Sequence, residues 1–178
     1  RPLRRLPGLN ENLAREVLEL HTLGAGQHTQ ADVEGLARAL TGWSIAAQRF
    51  GQGRPMALAG PEGQFLFQPA WHEPGVVMVA GRRYPEAGEA QARAILADLA
   101  VHPATARHLA GKLARHFIAD DPPAAAVDRL AAAYLASSGD LMALYRALVT
   151  APECWAGAQA KFKSPWEWLV SALRALDV

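Results

Sequence analysis

The amino-acid sequence predicts a mainly α protein: a helical bundle-like domain of about six helices with one small β-hairpin. Three observations point there. Apolar residues recur at three- and four-residue intervals through most of the chain. Residues that cap helices, Asn10, Thr29, Asp140 and Ser164, each stand just ahead of such a periodic run. Alanine is abundant, and β-type patterning is confined to one short region near residues 65–80.

Residues 1–9, RPLRRLPGL, hold three arginines, two prolines and a glycine and read as a basic linker or arm. The helical domain is expected over 10–178. Its first helix opens at Asn10, whose side-chain oxygen suits an orphan backbone N–H, with Glu11 favoured by the helix dipole, and Gly24 stops it. At the helical angle Leu13, Val17 and Leu20 form an apolar stripe widened by Ala14 and Leu18, with His21 inside that arc. The second helix begins at Thr29 with an aspartate version of the capping box at Asp32, buries Val33, Leu36, Ala37 and Leu40, sets Glu34 against Arg38 outside, and ends at Gly42.

After Trp43 the pattern changes. Residues 44–64 contain four glycines and two prolines without a sustained period and are expected to form a mobile loop. Phe65–Gln68 and Val76–Val79, with His72, Glu73, Pro74 and Gly75 between them, are expected to pair as the hairpin, over about 65–80.

Helical periodicity returns at Glu86. Ile95, Leu96 and Leu99 mark a helix that stops at Val101-His102-Pro103, because proline excludes its predecessor from helical geometry. Pro103 suits the first turn of the next helix, whose stripe is Ala106, Leu109, Ala110, Leu113 and Phe117. Asp121-Pro122 opens a helix carrying Val127, Leu130, Ala131 and Tyr134, and Asp140 caps one carrying Leu141, Leu144, Tyr145 and Leu148. Ser164-Pro165-Trp166-Glu167 is a full capping box leading into Trp166, Leu169, Leu173 and Leu176, with Trp166 directed to the core and Trp168 outward.

Composition narrows the function. Eighteen basic against seventeen acidic residues leave a formal charge of +1, too little for a general field that holds nucleic acid or an anionic membrane. Cys154 is the only cysteine, so no intramolecular disulfide forms. No apolar run reaches the ~18 residues of a membrane-spanning helix. The chain begins at Arg1, and it is expected to be a piece of a longer protein.

The signatures GxSxG, HExxH, SxxK and CxxC are missing, and Pro74 keeps His72-Glu73 out of a zinc-binding helix. Ser137, Ser138 and Ser164 fall at helix boundaries, where capping accounts for them, and Cys154 reads as a small hydrophobe. Two polar groups are candidates for a site. Asn10, Arg15 and Glu16 form a ligand-binding cluster on one reading, and a cap with Glu11-Arg15 and Arg15-Glu19 pairs on the other. Glu16, His21, His72, His102 and His116 are ligand types for a divalent metal such as zinc or iron, or else side chains satisfied between helices. No cofactor is required by the sequence.

The runs NENLAREVLELHTLG and TQADVEGLARALTGW, followed downstream by HPATARHLAGKLARHFIADDPP, resemble the two recurrent blocks of the bacterial family known as domain of unknown function 1800. The similarity runs from Asn10 to the end of the chain and corresponds to the C-terminal portion of longer members. It implies a largely helical protein, often exported and so periplasmic or beyond, with no assigned activity and no established site residues. Two functional readings follow. One is a non-catalytic interaction or structural module that contacts its own N-terminal half or another protein; the other is a metal-assisted hydrolase with metal-bound water as nucleophile. The first predicts an exposed apolar patch.

Overall fold

The structure, a computed structural model, describes residues 9–46, 48–51, 54–57, 61–157 and 160–177. Most of the basic arm expected over 1–9 lies outside the described residues. The chain gathers into two compact units, Arg1–Ala100 and Val101–Val178, where one helical domain is expected. The division falls at the Val101-His102-Pro103 break, so each unit builds its core largely from neighbours in sequence.

The first unit opens with α1 (Glu11–Glu16), capped as expected by Asn10, whose side chain accepts the Leu13 N–H at 3.1 Å. The helix then widens into a π turn, Val17–His21. Its end is closed by the Thr22 hydroxyl, which donates to the Val17 carbonyl at 2.7 Å, and by the Gly24 N–H, which donates to Leu18 at 3.0 Å. This turn corrects the expected stripe. Wider spacing rotates the face that meets the core, so Ala14, Leu18 and Leu23 are buried while Leu13, Leu20 and His21 are exposed.

α2 (Gln30–Ala39) starts at the Thr29/Asp32 capping box and buries Val33, Leu36 and Ala37. Arg38 pairs with Glu73 at 3.3 Å, while Glu34 accepts from Gln30 at 3.2 Å; the expected Glu34-Arg38 pair is replaced by these contacts.

Six short strands follow: β1 (Trp43–Ile45), β2 (Gln48–Gly51), β3 (Arg54–Ala57), β4 (Phe65–Phe67), β5 (Val77–Val79) and β6 (Arg82–Tyr84). β2 and β3 pair within the segment expected to be a mobile loop. Residues 47, 52–53 and 58–60 of that segment lie outside the described ones. The two runs expected to form the hairpin are both strands, but they have other partners: β4 pairs antiparallel with β1, Trp43 opposite Phe67, and β5 with β6, Val77 opposite Tyr84. The reason is local. Ala80 and Gly81, both at positive φ, close a two-residue turn between β5 and β6, whereas the 3₁₀ turn Pro69–Trp71 leads the chain away from β4. β5 lies against α2 at Gly35, where any Cβ would strike the Met78 carbonyl. α3 (Glu89–Ala100) packs on α2 and β6 and buries Gln91, Ala92, Ile95 and Leu99.

Among its described residues the second unit is made of helices and the turns that join them. α4 (Pro103–Phe117) and α5 (Ala124–Ala136) pack closely because α4 presents Ala106, Ala110 and Ala114 to Leu130 and its neighbours; α6 (Leu141–Val149) adds Leu144 and Leu148 to the same core. Asp140 caps α6 as expected, and α5 begins after Pro123 instead of at Asp121. A 3₁₀ turn, Pro152–Trp155, leads on toward α7 (Pro165–Ala175), which opens at the expected Ser164/Glu167 capping box. Trp166, expected in the core, is 71% exposed, on a helix none of whose residues is buried. No helix among the described residues is long and apolar enough to cross a membrane.

Candidate functional site

The polar residues singled out by sequence are placed in separate local roles. Asn10 serves the cap of α1. The Arg15 guanidinium donates to Gln30 Oε1 at 2.7 Å, and the Gln30 amide donates to Glu11 at 2.9 Å, so α1 and α2 are tied through Gln30 and not by the expected Glu11-Arg15 and Arg15-Glu19 pairs. Arg15 and Glu16 share a shallow depression of about 220 Å³ with Asn12, Glu19 and Leu20; Asn10 does not line it.

His72 is held at the end of α2, its Nδ1 3.1 Å from the Thr41 carbonyl and its ring edge-on to Phe67. His102 is the N-cap of α4, with Nδ1 accepting the Ala104 N–H at 3.1 Å, and His116 meets Phe117 edge-on at the other end of that helix. The length of α4 holds these two histidines about 20 Å apart, at 1.5 Å of rise per residue. They cannot share one ion. Among the described residues no three His, Cys, Asp or Glu side chains form a group able to hold a metal.

What the second unit does build is an apolar groove of about 550 Å³. Leu113 and Phe117 of α4 form one wall, Tyr145, Leu148 and Val149 of α6 the other, and Cys154 and Trp155 close one end. Phe117 is 56% exposed and Trp155 77%. These side chains are fixed from below. The Trp155 indole donates to the Val149 carbonyl at 2.8 Å and the Cys154 thiol to Leu148 at 3.2 Å. Glu153 is gripped by Arg129 of α5, whose guanidinium holds that carboxyl below its usual range. Burial, aided by the Glu153 carboxylate, pushes the Cys154 thiol up, so it remains a thiol in a hydrophobic wall and is poorly suited to act as a nucleophile.

Alongside runs a second cleft of about 500 Å³, lined by Lys112, Arg115, His116 and Lys161 and sharing Leu113 and Phe117 with the groove. Lys161 is anchored on Asp120 at 2.6 Å, and Asp120 also accepts the Phe162 N–H at 3.0 Å; both contacts lower the Asp120 pKa. The combined surface is an apolar trough with a cationic edge, suited to binding.

Sequence reasoning missed the groove, although a signal was present. α6 reads LMALYRALV, with apolar residues on too many sides for a helix that buries one stripe. Leu144 and Leu148 meet the core while Tyr145 and Val149 are left for the groove.

No curated protein and no solved structure matches the chain. The family model for the protein of unknown function DUF1800 matches residues 3–178, nearly the whole sequence. The chain therefore belongs to the DUF1800 family.

Proposed function

We propose that this chain is a non-catalytic interaction or structural module forming the C-terminal part of a larger exported bacterial protein, and that the α4–α6 groove is its contact face. One observation carries the reading: Phe117, Tyr145, Val149 and Trp155 stand exposed around one continuous trough. Apolar surface left in water costs roughly 25 cal/mol per Å², and monomers rarely keep contiguous patches beyond a few hundred Å² without a use for them. Covering aromatic side chains in a preformed trough is how interfaces gain most of their affinity. The partner on this reading is the N-terminal remainder of the same polypeptide or another protein. Export rests on the family resemblance alone.

The test is photo-cross-linking in cells, with benzoylphenylalanine at Tyr145 in the groove and, as control, at Arg107 of α4, which is exposed, pairs with Asp128 of α5 and does not line the groove. Mass spectrometry should locate adducts from position 145 in a polypeptide segment, with few from position 107. Equal adduct yields at both positions, or none at 145, would contradict the reading.

A further inference from the structure

We propose that the groove of one copy receives α7 of a second copy, reciprocally, so that the chain forms a two-fold dimer by exchanging these helices. The inference rests on the reading of the groove as a contact face and names its occupant.

The second unit carries two uncovered apolar surfaces. One is the trough between α4 and α6. The other is α7, on which Trp166, Leu169, Leu173 and Leu176 stand at i, i+3, i+7 and i+10, one stripe of a helix with no buried residue. At 1.5 Å per residue the stripe is about 15 Å long and the stretch of α6 that walls the trough, Tyr145–Val149, about 6 Å, so the trough takes the middle of the stripe. The other side is mixed: Glu167 closes its capping box and Ser171 accepts from Lys163 at 2.9 Å, with Trp168 exposed beside them.

The base of α7 explains why its own groove is left open. Asp120 binds the Lys161 ammonium and the Phe162 N–H, and its own N–H donates to the Ala160 carbonyl at 3.2 Å. Only Lys163 and Ser164 separate this anchor from the first residue of α7. The helix therefore leaves from a fixed point with its stripe uncovered, and no α7 residue lines the groove. A second copy supplies what the first cannot reach. Two such contacts, each setting stripe side chains against the seven residues of the trough, amount to on the order of 1,000 Å², the lower bound for a specific interface. Exchange of one helix for another also satisfies the self-complementarity that a two-fold interface requires.

Sedimentation velocity of the full chain from about 1 to 100 µM tests the exchange, over the concentration range in which an interface of this size is expected to associate. The expected result is a concentration-dependent species of twice the 19.1 kDa chain mass. Leu173→Glu on α7 and Val149→Glu on the groove rim, both at exposed positions, should each give a monomer with unchanged far-UV circular dichroism. Mixing the two variants should restore a dimer, because one retains an intact groove and the other an intact α7, with affinity at least tenfold below wild type. A chain that stays monomeric to 100 µM, or a dimer indifferent to both substitutions, would overturn the exchange. Cross-links from position 145 to a segment other than α7 would sink the exchange while leaving the contact-face reading in place; a groove without adducts would remove both.

Discussion

The Asp32 carboxylate joins two elements of the first unit: one oxygen accepts the Ala80 N–H at 2.8 Å, and the other closes the capping box on the Thr29 N–H at 2.8 Å and hydroxyl at 2.7 Å. One side chain thus starts α2 and holds the β5–β6 turn, where Ala80 sits at φ 50°. Burial works against its ionisation, but the hydrogen bonds from Thr29 and Ala80, with the nearby His28, outweigh that and hold its pKa below the ordinary 3.8.

Asp32→Ala removes both ties and should cost about 2 kcal/mol, the sum of the lost return half of the capping box and a half-buried amide left unpaired, measured by urea unfolding. The pH dependence has a definite sign. Because the folded pKa lies below the unfolded one, the contribution is fully present above the ordinary carboxylate pKa and is lost as pH falls through the folded value. Wild type should therefore lose stability below about pH 4 more steeply than the variant.

Gln91 is fully buried in α3, and its amide donates to the Gly75 carbonyl at 2.8 Å and the Tyr84 carbonyl at 3.0 Å. Gln91→Leu keeps the volume roughly constant but removes the donor to both carbonyls, including that of the buried Tyr84. It should destabilise the first unit by about 2–4 kcal/mol, and hydrogen exchange should quicken first in β5, β6 and α3.

Tyr84 and Tyr134 resist ionisation. Burial pushes Tyr84 well up, helped by its hydrogen bond to Asp98 at 2.8 Å, and burial raises Tyr134 in the second core. A raised folded pKa means stability that is intact below the ordinary value of 10 and lost as pH rises through the folded one. Ultraviolet titration should show these two phenols ionising only together with alkaline unfolding; reversible titration of either near pH 10 in folded protein would contradict this packing.

Gly35→Ala would drive a Cβ into the Met78 carbonyl where β5 crosses α2. The backbone cannot give way there as a flexible side chain would. A loss of about 1–3 kcal/mol in urea unfolding is expected, against the small gain that alanine brings to an open helix position.

The parts of this fold that were legible in the sequence are those decided within a turn or two. The caps at Asn10, Thr29, Asp140 and Ser164 satisfy N–H groups two or three residues away, so residue type and spacing suffice. Strand pairing was not legible, since Phe65–Phe67 finds its partner across some twenty residues at Trp43–Ile45. The π turn at Val17–His21 shifts the buried face of the first helix with no mark in the pattern of apolar residues. Periodicity also cannot say whether a stripe has something to cover it. Trp166 and Leu173 of α7 read as core for the same reason that Leu130 of α5 does, and only the packed structure separates them. The histidine candidates failed to converge because each of His72 and His102 is committed to a backbone group beside it, a role that residue identity does not reveal.

The central claim is that the α4–α6 groove is a surface meant to be covered, and hydroxyl-radical footprinting tests it most directly. Oxidation of Phe117, Tyr145 and Trp155 would be measured in the isolated chain at low micromolar concentration and in cells producing the protein, with Trp43, in the other unit, as internal reference. The expected result is rapid oxidation of the three groove residues in dilute isolated protein and at least fivefold protection in cells, relative to that reference, as burial of aromatic anchors at an interface requires. Equally rapid oxidation in both settings would mean that nothing covers the groove, and it would not be a contact face.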